Sequence, residues 1–139
     1  MILSITPNLM VADVRKSTSF YEQNLGFEIM AWVENEQNEE IWDFVMILRD
    51  GVTLMLQSVE TLEAEVPTLK RSGLGQGGTL YFKVDNVEAY YKKLTGKVTF
   101  LNELHETFYN TREFNIADID GNVITLAQDN DELLIEEIE

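Results

Sequence analysis

Few side chains in this sequence are equipped for chemistry. His105 is the single histidine and lies in Asn102-Glu103-Leu104-His105-Glu106-Thr107-Phe108-Tyr109, among acidic neighbours. A histidine titrates near neutral pH, so in that setting it can serve as a general base or a hydrogen-bond donor. The plainer alternative is an exposed loop residue. A second group is aromatic. Trp42, Phe44 and Met46 alternate along an apolar run and so share one strand face, with Trp32 on the neighbouring strand. Such faces can clamp a flat or cationic ligand, or simply pack in a core or between subunits. Asp118-x-Asp120-Gly121-Asn122 has the start of a calcium loop but not its remaining spacing or its distal Glu, and is read as a hairpin turn. The chain has no cysteine, which removes disulfides, thiolate catalysis and thiolate metal sites.

The elements that must position these residues follow from periodicity. Residues 1–11 read as a strand, and Asp13 caps a helix that runs to Leu25 and is closed by Gly26. Residues 27–34 and 41–48 alternate as strands around a polar loop at 35–38, and Asp50-Gly51 turns the chain into a strand over 52–57. A polar crossover, partly helical before Pro67, spans 61–71, and a glycine-rich seam follows at 73–78. The plan then repeats: strand 79–84, a helix capped by Asn86 and closed by Gly96, strand 98–101, an irregular stretch 102–111, strand 112–117, the Asp120-Gly121 turn and strand 122–128.

The repeat has a measurable period. Val11-x-x-Val14 matches Val84-x-x-Val87 at an offset of 73 (84 − 11), and Asp50-Gly51 matches Asp120-Gly121 at an offset of 70 (120 − 50). A duplicated module of strand, helix and three strands is therefore expected. The helix covers one face of each sheet, so the other must close against its twin or a partner. Two curved sheets facing each other leave a cleft, and clefts bind ligands.

Composition narrows the function. With 139 residues and 45% apolar content the chain is long and apolar enough for one globular domain. Ten Lys and Arg face 25 Asp and Glu for a formal net charge of −15. Nucleic-acid binding, which draws most of its affinity from phosphate neutralisation, is thereby excluded. An acidic protein instead attracts cations. No apolar run is long enough for a membrane span and no secretory signal is visible, so a cytoplasmic location is expected.

At this point the residues resemble a known family. Ile5-Thr6-Pro7-Asn8-Leu9-Met10-Val11-Ala12-Asp13, followed by Phe20-Tyr21 and Leu25-Gly26-Phe27, resembles the opening signature of the vicinal oxygen chelate superfamily, the glyoxalase/bleomycin-resistance/dioxygenase group. Arg112-Glu113-Phe114, followed by Asp118-Ile119-Asp120-Gly121-Asn122, resembles its closing signature. The resemblance implies an α+β fold of two βαβββ modules forming a curved mixed sheet with a cleft. It implies a single domain over 1–128, with modules at about 1–72 and 77–128 and an acidic tail at 129–139. It also implies four cleft-facing slots that hold a metal in the metal-dependent relatives. Here those slots fall on Thr6, Met55, Thr79 and Thr125, again at offsets of 73 (79 − 6) and 70 (125 − 55). Three hydroxyls and a thioether offer nothing to replace the hydration shell of a divalent ion. No metal or cofactor is therefore expected. Strand alternation adds Asn8, Thr53, Gln57, Tyr81 and Val123 to the same faces.

What the resemblance implies for function is a metal-free homodimer that sequesters a drug or metabolite, as in the bleomycin-resistance branch. The dimer is expected because the duplicated sheets expose a large apolar face. In that reading Trp32, Trp42, Phe44 and Phe108 stack on the ligand, and Glu103 and Glu113 meet its positive charge. The loop around His105 and Phe108 borders the pocket in relatives. Glu113 can instead be tied up in a salt bridge with Arg112 or with a neighbouring strand. Two alternatives stand beside this one: a lyase, isomerase or dioxygenase of the same fold using His105 and Glu113 for acid–base work, and a non-catalytic orphan dimer.

Overall fold

Two capped helices and a set of alternating strands organise residues Met1–Gly77, one of two compact units; the second is Gly78–Glu139. The structure, a computed structural model, describes residues 1–71, 73–75 and 78–130. The expected acidic tail beyond residue 130 and part of the expected glycine seam, residues 76 and 77, lie outside the described residues.

The first unit contains β1 (Asn8–Val11), α1 (Val14–Leu25), β2 (Glu28–Glu34), β3 (Trp42–Arg49), β4 (Val52–Ser58), α2 (Val59–Glu65) and a 3₁₀ turn over Pro67–Arg71. Its sheet runs β1-β4-β3-β2, with β1 parallel to β4 and the other pairs antiparallel. Period-two alternation sorts the strands into two faces. Val11, Val45, Ile47, Leu54 and Leu56 are buried, and α1 turns Val14, Phe20, Tyr21 and Leu25 inward to complete that core. Tyr21 packs edge-on against both Phe20 and Phe27, at 5.3 and 6.0 Å between ring centres. The opposite face carries Asn8, Met10, Phe44, Met46, Leu48, Thr53, Met55 and Gln57, and of these only Gln57 is buried.

The second unit repeats the plan with β5 (Thr79–Lys83), α3 (Val87–Leu94), β6 (Thr99–Phe100), β7 (His105–Glu106), β8 (Thr111–Ala117) and β9 (Val123–Asp129). The sheet runs β5-β9-β8-β6, and β7 also pairs with β8. Val87, Leu94, Phe114, Ile116, Ile124 and Leu126 form its core, with Tyr91 edge-on to both Phe100 and Phe114. The duplication is visible in the register. Asn8 pairs with Met55 and Met55 with Met46; at offsets of 73 (81 − 8), 70 (125 − 55) and 69 (115 − 46), Tyr81 pairs with Thr125 and Thr125 with Asn115. The architecture is thus mixed α+β built on two mixed sheets, as expected.

Three local differences have physical causes. The first strand begins at Asn8 rather than Met1, because Pro7 has no N–H for a ladder and offers only its carbonyl, 2.9 Å from Met55 N. The crossover starts helix at Val59, since the Ser58 hydroxyl caps it by accepting from Thr61 N. The stretch expected to be irregular at 102–111 contains β7, which forms a tight hairpin with β8.

Gly26 shows how closely α1 and β3 meet. It closes the helix in the left-handed region (φ 71°), its N–H reaching Glu22 O while Phe27 N reaches Tyr21 O. A Cβ there would overlap the Arg49 guanidinium, which donates to the Leu25 carbonyl. Gly26→Ala should destabilise the fold by about 1–3 kcal/mol, from the left-handed backbone and the displaced arginine. The urea unfolding midpoint measures it; an unchanged midpoint contradicts this packing.

Candidate functional site

The most unusual polar arrangement in the second unit is built around Glu113. It stands on β8, and its residue is only 6% exposed. Alternation along the strand places Thr111 on the same face, and the Thr111 hydroxyl donates to Glu113 Oε2 at 3.0 Å. Tyr81, on β5, donates its phenol to the same oxygen at 2.8 Å. β9 lies between β5 and β8, and the residue it sets opposite Glu113 is Ala127, small enough for the phenol to reach across. Tyr109 donates to the other oxygen, Oε1, at 2.6 Å.

Tyr109 reaches its place through the β7–β8 turn. Thr107 N bonds Thr111 O at 2.9 Å, and the two threonine hydroxyls lie 2.8 Å apart. Between them Phe108, Tyr109 and Asn110 make a three-residue loop, with Asn110 at φ 67°. That left-handed residue is the usual way for a three-residue hairpin to close, and it folds Tyr109 back over its own strand. Phe108 stays almost fully exposed, edge-on to Tyr109 at 5.0 Å.

The electrostatics follow from this geometry. Burial alone would push the Glu113 carboxyl up, but hydrogen bonds from Tyr109, Tyr81 and Thr111, with the His105 charge nearby, outweigh it and hold the group below its ordinary value of 4.5. Desolvation of its hydroxyl, and then donation to Glu113, push the Tyr81 phenol up to about 12. Tyr109 is raised as well, first by its bond to Glu113. The site is therefore an anion between two neutral phenols across the whole neutral range. A carboxylate has roughly four acceptor positions, and three hydroxyls leave one. Arg112, beside it in sequence, does not neutralise it: its guanidinium turns to Glu106 at 3.4 Å and Glu88 at 3.9 Å. His105 is exposed on β7, directly opposite Glu113 in the ladder, and its Nδ1–H donates to the Glu103 carbonyl at 2.7 Å. That bond orients the ring and leaves Nε2 as the other polar atom.

The remaining expected residues divide between the units. In the first, Trp32 and Trp42 stack at 5.5 Å with 22° between their planes, and Phe44 follows Trp42 on the same strand face. Thr6 precedes β1, Asn8 donates to Gln57 Oε1 at 3.0 Å, and Met55 sits opposite Asn8. Gln57 continues the chain to the Thr61 hydroxyl at 3.2 Å. In the second, Thr79 pairs with Val123, and Thr125 is buried with its hydroxyl donating to Asn115 Oδ1 at 2.5 Å. The four positions expected from the resemblance to be metal slots, Thr6, Met55, Thr79 and Thr125, carry a thioether and three hydroxyls, one of them already spent on an amide. This donor set does not fit a divalent cation. Among the described residues no three His, Asp or Glu side chains gather in metal-binding geometry.

Three contributors escaped the sequence reading: Thr111 and Asn115, and Tyr109 as a partner of Glu113. The spacing Tyr109-x-Thr111-x-Glu113 held the signal, because alternate residues leaving a turn share a face.

Comparison with known proteins agrees with this architecture. The family model described as Glyoxalase/Bleomycin resistance protein/Dioxygenase superfamily matches residues 2–126. The uncharacterized protein YraH of Bacillus subtilis (strain 168) is 33% identical over 124 residues, covering 85% of this chain and 91% of its own. Among solved structures, a glyoxalase/bleomycin resistance protein/dioxygenase from Nocardioides superposes with a TM-score of 0.75 at 17% identity, over 95% of this chain and 87% of its own. A protein of unknown function from Agrobacterium tumefaciens str. C58 gives 0.72 at 22% identity, over 92% and 94%. At such identities the two structures speak for the fold alone.

The Tyr–Glu–Tyr coupling has a direct reading in solution. Replacing the anion by an amide in Glu113→Gln should bring the Tyr81 phenol down from about 12 toward 10 and lower Tyr109 too, leaving the part due to desolvation. Tyrosinate absorbance during alkaline titration measures it. A curve that superposes on that of the parent chain contradicts the cluster.

Proposed function

Because the chain belongs to the Glyoxalase/Bleomycin resistance protein/Dioxygenase superfamily, we propose that it is a metal-independent binding protein that reversibly captures a cationic small molecule, sequestering a drug or metabolite in the cytoplasm. The observation that carries this reading is Glu113: a buried carboxylate held ionised by three hydroxyls, with no Lys or Arg bridged to it among the described residues. Buried charges ordinarily have a charged partner. Here the partner is the ligand. Tyr81 and Tyr109 are each about half exposed as residues (45% and 49%), so a cation reaching Glu113 meets two aromatic side chains made electron-rich by their bond to an anion. Glu103, His105 and Phe108 stand on the adjoining hairpin as further contacts.

The net charge of −15 draws cations toward the protein and speeds their capture. The absence of cysteine accords with a reducing cytoplasm. Among the described residues no helix is long and apolar enough to cross a membrane. A homodimer belongs to the same reading: β2 is an edge strand exposing Met30, Trp32 and Val33, a surface that proteins usually cover.

Calorimetry of purified protein with a metal-free cationic glycopeptide drug of the bleomycin class tests the reading. Saturable binding is expected, weakened about tenfold or more in Glu113→Gln, the usual cost of removing one half of a desolvated charge pair. Absence of heat, or affinity indifferent to that substitution, refutes it. So does a stoichiometric, tightly held metal in the purified protein.

A further inference from the structure

The first unit has a cavity of 720 Å³ remote in sequence from Glu113. It opens where β1 and β4 end and α1 and α2 begin, beneath the β2–β3 loop. One wall is the indole of Trp42, backed by Trp32. The charged groups around it are Asp13, Glu40, Asp43 and Glu60 against Arg15 and Lys16, an excess of two negative charges. The Trp42 face is occupied by the protein itself. The Arg15 guanidinium carbon lies 4.8 Å from the ring centre, and Arg15 Nη1 donates to the Glu40 carbonyl at 3.1 Å.

We propose that this cavity is a second binding site, for a ligand bearing a guanidinium or amidinium group, and that Arg15 is its built-in occupant. The chemistry is displayed by the arginine. A planar, weakly hydrated cation lies on the flat indole while an N–H of its fork reaches a backbone carbonyl, a pairing that a compact ammonium reproduces poorly. Arg15 is exposed and belongs to the first turn of α1, so its side chain can swing out without disturbing the core. An incoming guanidinium takes over the ring and the Glu40 carbonyl, and the surplus of carboxylates favours its entry. The cavity is in the size range of small-molecule pockets, so more than the cationic head can be accommodated. Arg15 keeps the indole covered while no ligand is present and competes with whatever arrives.

Trp32 and Trp42 are the two tryptophans of the chain, so intrinsic fluorescence reports this site without labelling. Agmatine is the probe and 1,4-diaminobutane the ammonium control, at constant ionic strength. Agmatine should produce a saturable fluorescence change at lower concentration than diaminobutane. Arg15→Ala should tighten agmatine binding by about 2- to 5-fold, the worth of an exposed cation–π contact. Lys16→Ala removes the same charge from the same rim without touching the indole, so the gain with Arg15→Ala must exceed the gain with Lys16→Ala. The proposal is overturned by no saturable change, by equal affinity for the two amines, or by an Arg15→Ala effect no larger than that of Lys16→Ala. None of these results bears on Glu113, which lies in the other unit.

Discussion

A carboxylate removed from water must be neutralised or held by donors, and in this chain the second solution organises the second unit. Glu113 is kept charged by hydroxyl groups alone. Each donor depends on a different piece of structure. Thr111 is placed by strand alternation, Tyr81 by the parallel pairing of β5 with β9, and Tyr109 by the left-handed turn at Asn110. Ala127 keeps the space between them open. Hydrogen bonds to a charged group are stronger than neutral ones, and the penalty for leaving the charge unmet is larger still. The linkage has opposite signs at the two ends of the pH scale. Glu113, held below 4.5, stabilises the fold above that value and ceases to do so as pH falls through its lowered pKa. Tyr81, raised to about 12, stabilises below pH 10 and ceases to do so as pH rises through 12.

The duplication shows how one strand register can carry two different sets of side chains. The two units share one register, and at corresponding positions they hold different side chains. Phe44 opposite Gln57 in the first unit corresponds to Glu113 opposite Ala127 in the second. Likewise Met55 corresponds to Thr125, and Asn8 to Tyr81. The first unit is aromatic and amide-rich on the face opposite α1, with the stacked tryptophans at its end. The second holds an anion and its hydroxyl cradle. At the positions expected from the resemblance to be metal slots, Thr6, Met55, Thr79 and Thr125, neither unit has an imidazole or a carboxylate.

Most of the fold could be read from residue order. The helix caps at Asp13 and Asn86, the closing Gly26, both Asp-Gly turns and the 73/70 offset of the repeat all reappear in the structure, because each rests on local backbone chemistry. Strand ends were less legible: Pro7 and Ser58 act through partners on other elements. The candidate site was legible in type but not in assembly. Glu113 and Tyr81 could be assigned to one face each by alternation, yet their meeting spans two strand spacings and depends on a small residue in between. A pairing of Glu113 with Arg112 looked natural in sequence. It does not form, because adjacent residues on a strand point to opposite faces and Arg112 finds Glu106 and Glu88 on its own. Arg15 over Trp42 is a contact between a helix start and a strand start, which no periodicity announces.

The charge state of Glu113 bears most of this account, and carboxyl carbon NMR of glutamate-labelled protein, with Glu113→Gln to assign the resonance, observes it directly. Followed from neutral pH into acid, the Glu113 signal should remain that of a carboxylate until below the 4.5 of an ordinary glutamate. A midpoint above 4.5, with the group already taking up its proton near neutrality, would mean that burial outweighs the hydroxyls, and would leave no anion to meet a cationic ligand.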